Sequence, residues 1–200
     1  MDDSTPVYPP GTLARMLGSA HVGAATRAAL TPRLHAAAPP EPAFLSAAER
    51  DALAQICARL LRLDDPALAL AVAAEIDARL AAGDGDGWRY DLLPSDGDVY
   101  RTVLRALDGA AQALGRPGFL APDARAQDRL LADLQAGRLD CSAWPETLQH
   151  RAFEEISAEA AWLYYRRPAA MDEIGCLAAA DRPGWVEIGL DRLDPRERRP

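Results

Sequence analysis

The chain has 200 residues, of which 49% are apolar, and its formal net charge is −8. This length suits one domain with its own core, since domains usually contain about 100–200 residues. The apolar fraction excludes a mainly disordered chain, and the negative charge disfavours binding to a phosphate backbone. No window approaches the roughly 18 consecutive apolar residues of a membrane-spanning helix. We therefore expect no nucleic-acid partner and no membrane span.

Residues 1–43 are expected to form an extended arm. Two short helical patterns lie around Leu13–Leu17 and Ala24–Leu30, and such short helices bury little surface by themselves. The arm is therefore either disordered or laid against another surface, and its leucines favour the second interpretation. The arm is punctuated by seven prolines: Pro6, Pro9, Pro10, Pro32, Pro39, Pro40 and Pro42.

Residues 44–167 predict a compact helical domain with about five main helices. Each helix has apolar residues at helical spacing and capping or breaking residues at its ends. The clearest start is Ser46-Ala-Ala-Glu49, a capping box that follows the hydrophobic staple residue Leu45. The predicted helices run from Ser46 to Leu61, Asp65 to Gly83, Tyr100 to Gly115, Pro122 to Gly137 and about Pro145 to Arg166.

Residues 168–200 predict an irregular tail that packs on the domain or on a partner. A weak alternation typical of a strand occurs only at Trp185-Val186-Glu187-Ile188. The fold class predicted for the whole chain is therefore all-α.

Residues with the chemistry of catalysis or metal binding are scattered without a functional spacing. Asp84-Gly85-Asp86-Gly87 resembles the start of a calcium loop, but Trp88 and Ser95 stand where further oxygen ligands are required. Neighbouring acids such as Glu154-Glu155 point about 100° apart on a helix, which is typical of a solvated face. We predict no catalytic, cofactor-binding or metal-binding residue. The cysteines and histidines, none of which form a pair with zinc-site spacing, are Cys57, Cys141, Cys176, His21, His35 and His150.

The end of the fifth helix is rich in aromatic residues. The segment from Ala160 to Pro168 contains a tryptophan and two tyrosines, and Trp185 follows in the tail. Such residues either close a core or form the exposed tryptophan, tyrosine and arginine anchors that dominate protein interfaces. The sequence leaves both interpretations open.

Three stretches of the chain resemble the gluconate 2-dehydrogenase subunit 3 family, and they span roughly residues 44–190. The first is Phe44–Leu53, and the second joins Gly85–Tyr90 to Tyr100–Asp108. The chain differs at Met171-Asp172, where the family often has tryptophan and asparagine, and at Cys176, where it often has an aromatic residue. The third stretch is the closing pattern Tyr164-Tyr165, Pro168, Glu173-Ile174-Gly175 and Trp185.

The resemblance implies a non-catalytic small subunit of a bacterial FAD-dependent sugar or polyol dehydrogenase. The implied partner is a glucose–methanol–choline (GMC) type flavoprotein, which holds the FAD and the catalytic histidine, and a multihaem c-type cytochrome can be a third subunit. The small subunit supports folding, maturation or stability of the flavoprotein, so no cofactor is expected in this chain. The alternative is a free-standing helical interaction or regulatory domain without a flavoenzyme partner.

Exported members of such complexes carry a twin-arginine signal on the small subunit. Residues 1–10 have neither a basic start nor an apolar segment nor an arginine pair. We therefore expect a cytoplasmic complex, or a periplasmic one if an export signal was removed or is supplied by the partner.

The predicted partner interface combines the leucines of the arm, the aromatics of the loop and the closing pattern of the tail. Its residues are Leu13, Leu17, Trp88, Tyr90, Tyr164, Tyr165, Arg166, Pro168, Glu173, Ile174 and Trp185.

Overall fold

The computed structural model describes residues 6–20, 22–34, 41–85, 93–140 and 144–176. These ranges contain eight α-helices, one 3-10 helix and no strand, which confirms the all-α class. The α-helices are α1 (Thr12–Leu17), α2 (Ala24–Leu30), α3 (Ala47–Leu61), α4 (Pro66–Ala82), α5 (Asp96–Ala113), α6 (Ala124–Gln135), α7 (Glu146–Tyr165) and α8 (Pro168–Ile174), and the 3-10 helix is Thr31–Leu34.

The chain divides into two compact units. The terminal unit comprises residues 1–35 and 166–200, and the central unit comprises residues 36–165. The sequence prediction put residues 1–43 and 168–200 in separate segments, whereas the structure groups the described parts of the arm and the tail. Among the helices in the described ranges, none has the length and apolarity needed to cross a lipid bilayer.

The central unit contains the five main helices that the sequence predicts. The long helix α7 contacts α3, α4, α5 and α6, and α3 also packs along α4. Their apolar stripes meet in one core, because each helix must bury its apolar face against another element. The largest fully buried apolar side chains of this unit are Leu53, Ile56, Val72, Ile76, Val103, Leu107, Phe119 and Leu134.

The start of α3 shows the predicted capping box. The Ser46 hydroxyl accepts a hydrogen bond from the Glu49 amide at 3.2 Å, and the Glu49 carboxylate accepts one from the Ser46 amide at 2.8 Å. These bonds satisfy backbone donors that the helix itself leaves without partners. Leu45 is 3% exposed, as its predicted role in the staple requires.

A buried carboxylate fastens the segment before α3 to α4. Asp77 accepts hydrogen bonds from the amides of Ala43, Phe44 and Leu45 at 2.8, 3.0 and 2.6 Å. The Phe44 ring lies against Gly97 in α5, where an added Cβ would stand 2.3 Å from the ring. The segment that leads into α3 is therefore held by the Asp77 carboxylate and by the packing of Phe44 on Gly97.

The terminal unit packs α1, α2 and the 3-10 helix with α8 around a small core. Asp172 of α8 accepts hydrogen bonds from the amides of Gly11 and Leu13, both at 2.8 Å. The amides of Val7 and Tyr8 donate to carbonyls of α8 at 3.0 Å. Residues 7–13 of the arm therefore lie against α8, the last helix within the described residues, as the favoured interpretation expected. The buried apolar residues are Leu13, Leu17, Val22, Leu30 and Met171.

The prediction of an irregular tail from residue 168 is wrong for its first seven residues. Pro168 opens α8, and Gly175 ends it with a left-handed φ of 69°. Proline suits the first turn of a helix because it lacks an amide hydrogen there, and glycine adopts positive φ without strain. The sequence places Pro168 just after the fifth predicted helix, and in the structure it starts a further helix. The possible strand at residues 185–188 lies outside the described residues.

Candidate functional site

Three helices of the central unit line a cavity of about 440 Å³. The carboxyl end of α4 contributes Arg79, the amino end of α5 contributes Asp96 and Tyr100, and α7 contributes Glu159 and Trp162. The loop residues Asp84, Gly85, Leu93 and Pro94 complete much of its wall.

Arg79 is the centre of a charged network at this cavity. Its guanidinium donates two hydrogen bonds to the Glu159 carboxylate, one of them at 2.7 Å to Oε2, and one at 2.8 Å to Asp96 Oδ2. A further bond of 2.7 Å goes to the carbonyl of Asp84. Desolvation opposes the charge of Arg79, but the hydrogen bonds with Glu159 and Asp96 outweigh it and raise its pKa. This fork-shaped pairing gives α4, α5 and α7 a fixed mutual geometry.

Tyr100 completes the network from the interior. Its hydroxyl donates to Oε2 of Glu159, and the side chain is 2% exposed. Burial, together with the negative charge of Glu159, raises the pKa of Tyr100 well above its usual value. Burial also raises the pKa of the Cys57 thiol to about 12. Both groups are therefore protonated at neutral pH, which suits packing and hydrogen bonding better than nucleophilic attack.

One face of α7 lines the cavity. Glu155, Ala158, Glu159 and Trp162 are spaced at i, i+3, i+4 and i+7, so they share one side of the helix. The Trp162 side chain is 62% exposed. This face of α7 therefore combines two acidic side chains with a large aromatic one.

No partner-interface residue from the sequence prediction lines this cavity within the described ranges. Tyr165 is 42% and Ile174 50% exposed, Glu173 is exposed, and Arg166 is half-buried. Trp88, Tyr90 and Trp185 lie outside the described residues. The interface remains a prediction. Four of its side chains are packed inside this chain and offer little exposed surface, namely Leu13, Leu17, Tyr164 and Pro168.

The sequence analysis missed the residues of the cavity. Arg79 and Glu159 are 80 positions apart, and one sequence contains no signal that pairs them. Trp162 lies in the aromatic segment at the end of the fifth helix, but the predicted partner interface included Tyr164 and Tyr165 and not Trp162. Its spacing of seven from Glu155 could have placed both on one helical face.

Of the scattered cysteines and histidines, the structure describes Cys57, Cys176 and His150. Cys57 is buried and Cys176 is exposed, and both are free thiols. His150 lies on the surface with Nδ1 2.8 Å from the carbonyl oxygen of Gln135. Within the described ranges, no three histidine, cysteine or acidic side chains are grouped as a metal ion would require.

One comparison with known proteins finds a match that covers most of the chain. The family model described as gluconate 2-dehydrogenase subunit 3 matches residues 47–191. The match begins at the first residue of α3 and includes α8, while α1 and α2 lie before it. No curated protein and no solved structure matches the chain. The chain belongs to the gluconate 2-dehydrogenase subunit 3 family, whose members are accessory subunits of a dehydrogenase complex.

Proposed function

We propose that this chain is the non-catalytic small subunit of an FAD-dependent sugar or polyol dehydrogenase. Its role is to support the folding, maturation or stability of a GMC-type flavoprotein, which binds the FAD and oxidises the substrate. A c-type cytochrome is the third subunit where the complex passes electrons onward. In this proposal the complex is cytoplasmic, which fractionation of the native host checks directly.

The observation that carries the proposal is the family membership over residues 47–191. That range includes every helix of the central unit, so the family relationship concerns the whole helical core and not one short motif. An accessory subunit of a dehydrogenase complex requires a catalytic partner. The acidic composition supports a protein partner, since it disfavours nucleic acid.

The geometry of the charged network gives independent support for a structural role. A general base needs a carboxylate that is accessible and ready to accept a proton. The Glu159 carboxylate instead accepts two hydrogen bonds from Arg79 and one from Tyr100. A carboxylate held in this way joins the helices, and its oxygens are occupied by donors of this chain.

Co-expression with the GMC-type flavoprotein of the same organism tests the proposal. With an affinity tag on the small subunit, we expect to recover a yellow stoichiometric complex that reduces a dye in the presence of sugars. The flavoprotein expressed alone is expected to be insoluble or inactive. A colourless small subunit, together with a flavoprotein that is fully active alone, would contradict the proposal and favour the free-standing regulatory domain.

The arm provides a second test of the same proposal. Deletion of residues 1–43 is expected to weaken the complex, because it removes the buried leucines and exposes the core of the terminal unit. Asp172→Ala is the matched variant, since it removes the carboxylate that holds α1 but keeps the arm sequence. A complex unchanged in both variants would show that the arm has no part in assembly.

A further inference from the structure

Helix α3 ends in a backbone conformation that favours glycine, but the residue there is an arginine. Arg62 has φ 55° and ψ 44°, in the left-handed region, and its amide donates to the carbonyl of Ala58. In this region the Cβ of an L-residue crowds the following carbonyl oxygen, which costs free energy that glycine avoids.

The end of α4 shows the usual solution to the same turn. Gly83 has φ 65° and ψ 22° there, and no atom lies within 4 Å of the place that its Cβ would take. An unfavourable conformation retained at Arg62 therefore points to a use for its side chain. Within the described ranges Arg62 is the exception, because the other residues with positive φ are Gly11, Gly83, Gly115, Gly137 and Gly175.

The Arg62 side chain is exposed, and within the described residues it makes no hydrogen bond or ion pair. The carboxylate near it, that of Asp128, already accepts two bonds of 2.7 Å from the guanidinium of Arg59. The bond from Arg59 is the main cause that lowers the pKa of Asp128, and the charge of Arg62 adds a smaller effect. Arg62 thus lies near a carboxylate that has another partner, and its guanidinium donors remain available to a second molecule.

Two further arginines of α6 lie beside this pair. Arg125, Asp128 and Arg129 are spaced at i, i+3 and i+4, so they share one side of the helix. The bond from Arg59 to Asp128 places this side next to the end of α3. Both α6 arginines are exposed, and neither makes a side-chain bond within the described residues. We call this group the arginine surface, and it comprises Arg59, Arg62, Arg125 and Arg129.

The acidic residues that adjoin these arginines in sequence are mostly bound to helix amides. The Asp65 carboxylate accepts the amide of Ala67 at 2.9 Å, and the Asp123 carboxylate accepts that of Ala126 at 2.8 Å. These two carboxylates cap α4 and α6, whereas Asp64 is exposed. The guanidinium groups are therefore the main charged groups that this end of α3 offers to a partner.

We propose that the arginine surface binds an acidic segment of the catalytic subunit, and that Arg62 forms an ion pair with a carboxylate of that segment. This inference rests on the proposed function and specifies the chemistry by which the two subunits meet. A guanidinium binds a carboxylate through two parallel hydrogen bonds, and arginine is enriched among the residues that dominate interface energy. Because the chain has a net charge of −8, a local group of arginines also selects where an acidic segment docks.

Substitutions at position 62 separate the use of the side chain from its effect on the backbone. Arg62→Ala removes the guanidinium but keeps a Cβ, whereas Arg62→Gly removes both. Dilution of the purified complex gives its dissociation constant, which each variant should raise about 10-fold or more. Arg62→Gly should also raise the melting temperature of the small subunit by about 2–4 °C, because glycine relieves the left-handed strain.

Arg138→Ala is the matched control, because Arg138 is exposed beyond the carboxyl end of α6 and pairs with Asp133. Its dissociation constant should stay within about threefold of the wild type. A purely structural cation at the end of α3 predicts a different result. In that case Arg62→Ala would lower the melting temperature and leave the dissociation constant unchanged, which would overturn the inference.

The chain contains no lysine, so the contact can also be mapped by cross-linking. Arg62→Lys keeps the positive charge and introduces an ε-amine at this position. A carbodiimide joins such an amine to a carboxylate in contact with it, forming an amide bond with net loss of water. We expect mass spectrometry to find position 62 joined to an aspartate or glutamate of the flavoprotein. Arg138→Lys, treated in the same way, should give no such product.

The outcomes separate this inference from the proposed function. If the wild type binds the flavoprotein and the position-62 variants bind equally well, the arginine surface is wrong while the accessory role stands. If the wild type forms no complex at all, the proposed function fails, and this inference fails with it. A cross-link from position 62 to a second copy of this chain would assign the surface to self-association and also overturn the inference.

Discussion

Each of the two units uses a buried aspartate to hold an incoming segment. In the central unit, Asp77 of α4 accepts three amides of the segment before α3. In the terminal unit, Asp172 of α8 accepts the amides of Gly11 and Leu13 at the start of α1. The two side chains are 1% and 3% exposed, so each carboxylate exchanges water for backbone donors that would otherwise be unsatisfied.

The units differ in how the helix after the held segment is capped. Helix α3 has its own N-cap in Ser46. Helix α1 has Gly11 at this position, without a side-chain cap, and Asp172 supplies the missing acceptor from 161 positions along the chain. At this point α3 has a local side-chain cap as well as the tertiary carboxylate nearby, whereas the side-chain acceptor at the start of α1 is the tertiary Asp172.

The units also resemble each other in the packing of the held segment on a glycine. Phe44 lies against Gly97 in the central unit, and Val7 lies against Gly175 in the terminal unit, where an added Cβ would stand 2.6 Å from Val7 Cγ1. The cores beneath these contacts differ, because the terminal unit has only a small cluster of buried apolar residues in its described part. The same device thus secures a large core in one unit and a small one in the other.

Loss of Asp77 is expected to have the largest effect on stability. Asp77→Ala leaves three backbone amides without an acceptor, which should lower the free energy of unfolding by about 3 kcal/mol or more. Urea denaturation followed by circular dichroism measures the change. Asp51→Ala is the control, because Asp51 is exposed on α3 and should change stability by less than about 0.5 kcal/mol. A loss below 1 kcal/mol in Asp77→Ala would contradict the assigned role.

Loss of Asp172 should act on the terminal unit alone. Asp172→Ala removes the carboxylate that accepts the amides of Gly11 and Leu13 at the start of α1. We expect the free energy of opening of the terminal unit to fall by about 2 kcal/mol. Native-state hydrogen exchange checks this, with faster exchange at the amides of Leu13 and Leu17 and unchanged exchange in α5. Equal acceleration in α5 would mean that the two units unfold together, and the comparison would then fail.

Substitutions at two glycines of α5 test how firmly Phe44 is packed against this helix. Gly97→Ala drives a methyl group into the Phe44 ring and should destabilise the protein by about 1–2 kcal/mol. Gly109→Ala is the matched control in the same helix, since no atom lies within 4 Å of its added Cβ, and it should stabilise by about 0.5–1 kcal/mol. Thermal unfolding distinguishes the two signs. Similar values for both variants would show that Phe44 yields without cost.

The local part of this architecture follows from the sequence, and the tertiary part does not. The capping box at Ser46 and the proline after Asp65 each predict the observed first residue of a helix to within one position. They do so because these signals act through neighbours in the chain. Neither Asp77 nor Asp172 differs in local pattern from a solvent-facing acid on a helix. Their partners, like Glu159 that pairs with Arg79, come from segments at least 32 positions away.

Helix α8 shows the limit of a local rule. Pro168 follows the end of α7, and the sequence analysis used it only as a stop signal. A proline also fits the first turn of a new helix, and the glycine seven positions later marks its end. The hydrogen bonds from the arm to α8 add support that no short segment can supply alone. A seven-residue helix is therefore stable here through contacts that the pattern of residues 168–174 does not contain.

The pH dependence of stability gives the smallest effect and tests the local cap. The hydrogen bond from the Ser46 amide is the main cause that lowers the pKa of Glu49 below its ordinary value of 4.5. A lowered pKa in the folded state means that the carboxylate stabilises the protein above pH 4.5, and that this stabilisation is lost as the pH falls through the folded pKa. Glu49→Gln should therefore lose about 0.3–1 kcal/mol at neutral pH and approach the wild type in acid. Melting temperatures measured between about pH 7 and pH 3 decide this, with Glu41→Gln as a control on an exposed acid before the cap. A constant difference across the whole range would show that the Glu49 side chain acts through its shape and hydrogen bonds and not through its charge.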